Sequence, residues 1–348
     1  MKRLFVFLAG GCLALPVPAR SQTEEWPVIR RSFATVDAPV PAFAGGVFDP
    51  RPGETISFLG GTDIHEWDRH PDLELAFHLA WPDRRLHLRN LAWQGDTIYY
   101  QARPRFFYTR AGDPQPGSIP DHRERTQPGI VFLGFGKMES LEGSERLAAF
   151  VKAYGEALDL LRPLTGRIVL VTPAPFFATG PASSLAAKRN ETLSAYTEAI
   201  RMLAAERGLL VVDLFGPLSE KADPAWTTNG VHLSAAGQRE ATAQIASQLR
   251  FPVIPGAATD SSVVQSLRQA VGRKNQLWWQ YYRPSNWAFL FGDRQHVPAS
   301  RDPEDRDQRW FVREIDSLPG LIAETEADIH RYARAARSDA KAQPVTVP

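Results

Sequence analysis

From residue 54 onward, short apolar runs alternate with longer stretches in which apolar residues recur every three or four positions. Thr55 to Gly60, Arg85 to Ala92, Ile130 to Leu133, Arg167 to Thr172 and Leu209 to Phe215 have the length and β-branched content of strands. Between them, Pro71 to Trp81, Ser144 to Leu161 and Lys188 to Arg207 carry the helical period. Pro163 and Gly166 end the second of these helices, and Gly208 stops the third. Ser234 supplies an N-cap for a further helix running to about Leu249. Strands alternating with helices at these intervals predict an α/β fold with a parallel sheet covered on both faces. In such sheets the ligand crevice lies beyond the carboxyl ends of the strands, so the residues just after each strand are the ones to question.

The pattern is different at both ends. Lys2 and Arg3 precede an apolar run from Leu4 to Leu15 and then Val17-Pro18-Ala19, the layout of an export signal cut near Ala19. A bilayer core of about 30 Å needs about 20 apolar residues, so this run predicts export to the periplasm or beyond and no membrane span. The organisation expected is a signal at 1–21, an extended arm at 22–53, a sheet domain at 54–250, a helical extension at 251–337 and a disordered tail at 338–348. In the extension, Ser262 to Tyr282 and Trp310 to Arg337 read as helices around an aromatic, Pro- and Arg-rich loop from Arg283 to Arg309. Tyr99 to Thr126 is irregular, and loops of that length are more often functional than not.

Composition narrows the chemistry. With 348 residues, 43% hydrophobic and 23% charged, the chain can bury a large core. Forty Lys plus Arg against 39 Asp plus Glu give a formal net charge of +1, so no global field favours nucleic acid or an anionic membrane. The single cysteine, Cys12, lies in the signal. The mature chain is expected to have no disulfide, cysteine nucleophile or Cys-ligated zinc.

Four segments stand where the crevice should be: Phe58-Leu59-Gly60-Gly61-Thr62-Asp63, Asn90-Leu91-Ala92-Trp93-Gln94-Gly95-Asp96-Thr97, Gly134-Phe135-Gly136-Lys137-Met138-Glu139 and Asn229-Gly230-Val231-His232-Leu233-Ser234. In order and spacing they resemble the four blocks of the SGNH (GDSL-type) hydrolases, over about Glu54 to Leu249. Lys274-Asn275, Trp278-Trp279, Arg283-Pro284-x-Asn286 and Phe291-Gly292-x-Arg294 resemble the tail of a bacterial secreted subgroup of that superfamily. The resemblance implies a flavodoxin-like three-layer α/β/α sandwich with about five parallel strands, followed by the helical extension. It implies hydrolysis of esters, including acyl groups on carbohydrate, with a small ester or carbohydrate substrate and no cofactor or metal. Thr62 takes the nucleophile position, His232 that of the general base and Asn229 that of its orienting acid. Gly95 and Thr62 form the oxyanion hole, and Asp63, Asn90, Met138 and Glu139 are pocket candidates.

Such chemistry needs a hydroxyl activated by a base, a third group holding the base in one tautomer, and preformed donors facing the developing oxyanion. Here the hydroxyl is a secondary alcohol, the orienting acid is an uncharged amide, and the oxyanion Asn of the family is Met138, which donates nothing. Loss of one oxyanion donor costs about 10²–10³ in turnover, and Asp to Asn in a serine triad about 10⁴. A weakened hydrolase is therefore expected, with Asp63 or Glu139 as replacement acid, and its alternative is an inactive descendant that binds a carbohydrate or ester. Asp63, His65, Glu66, Asp68 and His70 read as a metal cluster or, in better accord with their spacing, as a solvated loop. Trp278, Trp279, Tyr281, Tyr282, Trp287 and Phe289 either stack on sugars or pack the extension onto the sheet domain.

Overall fold

The computed structural model describes residues 39–99, 126, 128–181, 183–252, 261–285, 287–290, 294 and 296–342. The expected signal, most of the expected arm, residues 100–125 and the motif residues Asn286, Phe291 and Gly292 lie outside them. Strands β1 (Thr55–Gly60), β2 (His87–Asn90), β3 (Ile130–Gly134), β4 (Ile168–Val171) and β5 (Leu210–Val212) form one parallel sheet in the order β2-β1-β3-β4-β5. The helices are α1 (Thr62–His65), α2 (Asp72–Ala80), α3 (Leu147–Leu161), α4 (Ala186–Arg207), α5 (Phe215–Lys221), α6 (Ala235–Gln248), α7 (Ser262–Tyr282), α8 (Trp287–Leu290) and α9 (Trp310–Ala342).

The central strands are apolar throughout because both faces are covered, and their period-2 alternation sorts side chains between two cores. Val131, Leu133, Ile168 and Leu170 pack with Phe150, Tyr154, Tyr196 and Ile200 on one side. Ile130, Phe132, Val169 and Val171 pack with Phe58, Phe77, Trp81 and Ile245 on the other. This is the three-layer α/β/α sandwich expected. The caps also hold: the Ser234 hydroxyl accepts from Gly237 N–H at 3.2 Å, and Gly208 closes α4 with φ 63°.

Four expectations need correction. The β2 run begins later than Arg85 because that residue turns the chain at φ 49°. The β5 run ends before Phe215 because the Thr172 hydroxyl takes the N–H groups of Leu214 and Phe215, at 2.8 and 3.1 Å, and turns the chain into α5. The last helix continues past Arg337 to Ala342. Asp63 to His70 is not a solvated loop: it forms α1 and a 3-10 turn in which His65 and Glu66 are buried, His65 against Trp279 with ring centroids 5.2 Å apart. Among the described residues no group of His, Cys, Asp and Glu converges to hold a metal ion, and no helix is long and apolar enough to cross a membrane.

The extension does something specific at the edge of the sheet. Among the described residues β2 pairs with β1 only, which leaves the outward carbonyls of alternate residues needing donors. Four of them receive side chains: Leu86 O from His330 Nε2 at 3.0 Å, Leu88 O from Lys274 Nζ at 3.1 Å, Asn90 O from Trp278 Nε1 at 2.8 Å, and Ala92 O from Arg283. Four residues of helix rise about 6 Å and two strand residues about 6.6 Å, so Lys274 and Trp278 keep step with the strand. Lys274 also pairs with Glu74 at 2.8 Å, and Glu326 of α9 holds Arg89 at 2.6 Å and His87 at 2.9 Å. Trp278, Trp279, Tyr281 and Tyr282 serve this packing, and the Trp287 side chain lies outside the described residues. Trp278 stacks on Tyr282, Arg283 lies 4.1 Å over the Trp279 ring, and Phe289 meets Phe311.

Candidate functional site

The carboxyl ends of β1, β2 and β3 and the loop before α6 meet at one crevice. At the end of β1, Thr62 opens α1 with its side chain buried. At the end of β2, Asn90 clamps the exit of the strand: its amide donates to Ile64 O at 2.8 Å and its oxygen accepts from Ala92 N–H at 2.9 Å. Those bonds make it a brace for the backbone rather than a group free to meet a ligand. The chain then turns through Trp93 to Asp96, with Asp96 N–H donating to Trp93 O at 3.1 Å. Gly95 sits at φ 82° in that turn, a backbone conformation a side chain would strain. The turn aims Gly95 N–H at Thr62 Oγ1, 3.4 Å away.

At the end of β3, the buried Glu139 carboxylate accepts Ile98 N–H at 2.6 Å and Gly136 N–H at 2.8 Å. Burial raises its pKa above the usual carboxylate range, against the pull of those backbone donors. It joins the β2 and β3 loops. Met138 lines a cavity beside Thr62, Asp63, Asp96 and Lys137, with about 20 Å³ of free volume, room for one water or one methyl group. Asp63 is bound on both oxygens, to Lys137 Nζ at 3.0 Å and to Ala174 N–H at 3.0 Å. Neither Asp63 nor Glu139 therefore reaches His232 as a replacement acid.

Lys137 carried no role in the sequence reading, yet it holds the crevice together. Its ammonium is buried, pairs with Asp63 and donates to Val231 O at 2.8 Å, so it ties α1 to the histidine loop. The only sequence signal was a lysine just after a buried strand, inside a Gly-rich turn.

The histidine loop is wound tightly around its own side chains. Thr227 Oγ1 donates to His232 O at 2.8 Å and accepts Gly230 N–H at 2.8 Å. Gly230 has φ 85° and packs against Thr179 O and Phe177 O, where a Cβ would lie 2.4 and 2.9 Å from those atoms. Asn229 Oδ1 accepts Val231 N–H at 3.0 Å and His232 N–H at 2.9 Å, and its Nδ2 lies 3.0 Å from His232 Nδ1. On the other side of the ring, Nε2 lies 3.4 Å from the amide of Gln94, the neighbour of Gly95. Among the described residues no hydrogen bond joins Thr62 to His232, and no carboxylate pairs with the ring. The structure thus brings Thr62, Asp63, Met138 and Glu139 to one cavity, with Gly95 aimed at Thr62 and the Asn229–His232 pair reaching the neighbouring Gln94, while the polar atoms of Asp63, Asn90 and Glu139 are spent on the framework.

The family model for GDSL-like lipases and acylhydrolases matches residues 62–240, half of the chain. Among solved structures, a gut microbial diltiazem-metabolizing enzyme shares the fold at TM-score 0.54 and 13% identity, over 84% of this chain and 97% of its own. A catalytic mutant of an acetylxylan esterase from Geobacillus stearothermophilus aligns at TM-score 0.43 and 16% identity, over 59% of this chain and 97% of its own. A lipase/acylhydrolase from Enterococcus faecalis aligns at TM-score 0.43 and 15% identity, over 57% and 95%. No curated protein matches the chain.

Proposed function

Because the chain belongs to the GDSL-like lipase/acylhydrolase family, we propose that its crevice takes a short-acyl ester, an acetylated carbohydrate among them, and hydrolyses it slowly. The observation that carries this reading is the Gly95 N–H aimed at Thr62 Oγ1 beside a cavity of methyl-group size. A carbonyl carbon brought to the Thr62 hydroxyl would set its oxygen near the preformed Gly95 N–H, and such donors make the largest single contribution in acyl transfer. The narrow cavity suits the methyl of an acetyl group better than a longer chain. Met138 contributes shape there and no donor.

The purified protein is expected to hydrolyse 4-nitrophenyl acetate and an acetylated xylooligosaccharide, with little turnover of the butyrate and octanoate esters. Thr62→Ala is expected to lower acetate turnover to the uncatalysed level. Equal turnover by that variant, or a preference for long acyl chains, sinks the reading.

A second reading is favoured by one observation, the missing hydrogen bond between Thr62 and His232. In that reading the crevice binds an ester or carbohydrate without cleaving it. Calorimetric binding of the acetylated sugar with no product formed would select it over hydrolysis.

A further inference from the structure

We infer that Asn229 locks neutral His232 in the tautomer with its hydrogen on Nε2, which makes the ring a hydrogen-bond donor to the ligand and not the base that activates Thr62. The argument starts from the Asn229 side chain. Its Oδ1 accepts two backbone N–H groups, from Val231 at 3.0 Å and His232 at 2.9 Å. Rotating the amide by half a turn would point its NH₂ at both of those donors, so its orientation is fixed by the loop and not by the ring. The group that meets His232 Nδ1 at 3.0 Å is then an N–H donor. Only a bare Nδ1 can accept from it, and in a neutral imidazole the hydrogen must sit on Nε2.

Nε2 is the nitrogen on the crevice side. It faces Gln94 Nε2 at 3.4 Å, and that amide makes no other hydrogen bond among the described residues, so a half-turn brings its oxygen to Nε2–H, a place that a ligand acceptor can take over. An aspartate in place of Asn229 would impose the reverse. One carboxylate oxygen would take the backbone pair and the other would accept from Nδ1–H, leaving a lone pair on Nε2 for the Thr62 proton. As the chain stands, Nε2 has no such lone pair. It offers instead an N–H beside the Gly95 turn, suited to an acceptor such as the carbonyl oxygen of an acyl ester. Naming that ligand rests on the short-acyl ester reading above, whereas the tautomer does not.

The test is nitrogen-15 NMR of the full chain with labelled histidine, at a pH where the ring is neutral. The two ring nitrogens of His232 are assigned through their couplings to the ring protons and by loss of the signals in His232→Ala. The pyridine-type nitrogen is expected to be Nδ1 in the wild type and Nε2 in Asn229→Asp, and that substitution is expected to raise acetate-ester turnover at least about tenfold, part of what the same change costs in reverse in a serine triad. A pyridine-type Nε2 in the wild type overturns the inference, as does an Asn229→Asp protein that keeps the wild-type tautomer. Bare Nδ1 with no ester turnover in either protein would uphold the tautomer and remove the hydrolase reading. The wild-type spectrum decides the matter even if the variant does not fold.

Discussion

At the scale of single residues, Lys137 is the side chain on which the crevice depends without being part of its chemistry. It is buried with Asp63, whose other oxygen is held by Ala174 N–H. Lys137→Met keeps much of the volume but leaves that carboxylate without its cation, which typically costs about 3–5 kcal/mol. Urea denaturation should show a loss of that order. A change below about 1 kcal/mol would mean that the pair is screened like a surface one. The positions to question were legible in the sequence, because Thr62, Gly95, Met138, Asn229 and His232 follow strand ends or precede a helix, and an α/β sheet presents such positions at its carboxyl edge. What each side chain does there was less legible. Asn90 and Glu139 spend their polar atoms on backbone groups of other segments, and Asn229 turns its oxygen to its own loop. Bonds of that kind depend on turn geometry that residue types alone do not specify.

At the scale of elements, the informative feature is the row of donors along β2. The strand pattern in the sequence was clear, since buried parallel strands read as apolar runs. That β2 would be an edge, and that its carbonyls would be met by Lys274, Trp278, Arg283 and His330, was not. The donors lie far away in sequence, 188 residues for the Trp278 bond, and their match to the strand emerges only when a helix is laid beside it. Trp278→Phe tests this directly. The ring still fills the space against Tyr282, but Asn90 O loses its donor, and a buried unsatisfied carbonyl costs about 1–3 kcal/mol. Thermal unfolding should report a loss within that range, and an unchanged midpoint would show that the aromatic packing alone holds the extension.

At the scale of the whole molecule, the extension and the sheet domain share a charged junction that makes stability depend on pH. Asp68 lies 3.8 Å from the Arg283 guanidinium. Burial pushes its carboxyl up to about 7, against the pull of Arg283 and Lys274. A carboxyl raised in the folded state contributes stability that is full below its unfolded pKa, near 3.8, and is lost as pH rises through about 7. The span amounts to at most about 4 kcal/mol. Asp68→Asn stays neutral, so its stability relative to the wild type should grow between about pH 4 and pH 7 and level off above. A gap that is constant with pH would place the titration elsewhere. Glu326 acts in the opposite sense: burial pushes its pKa up, but Arg89 and His87 overcome this and hold it below the usual carboxylate range. Its contribution is therefore complete at neutral pH and fades only in acid. The covered edge of β2 also has a consequence in time. A ribosome delivers the chain from its N-terminus, and the groups that secure Asn90 and Ala92, just ahead of the Gly95 turn, are made long after the strand they cover. While residues 261–342 are still being synthesised, β2 is an open edge that can pair with a neighbouring chain. The backbone just ahead of the Gly95 turn thus gains these two donors only after Trp278 and Arg283 have been made.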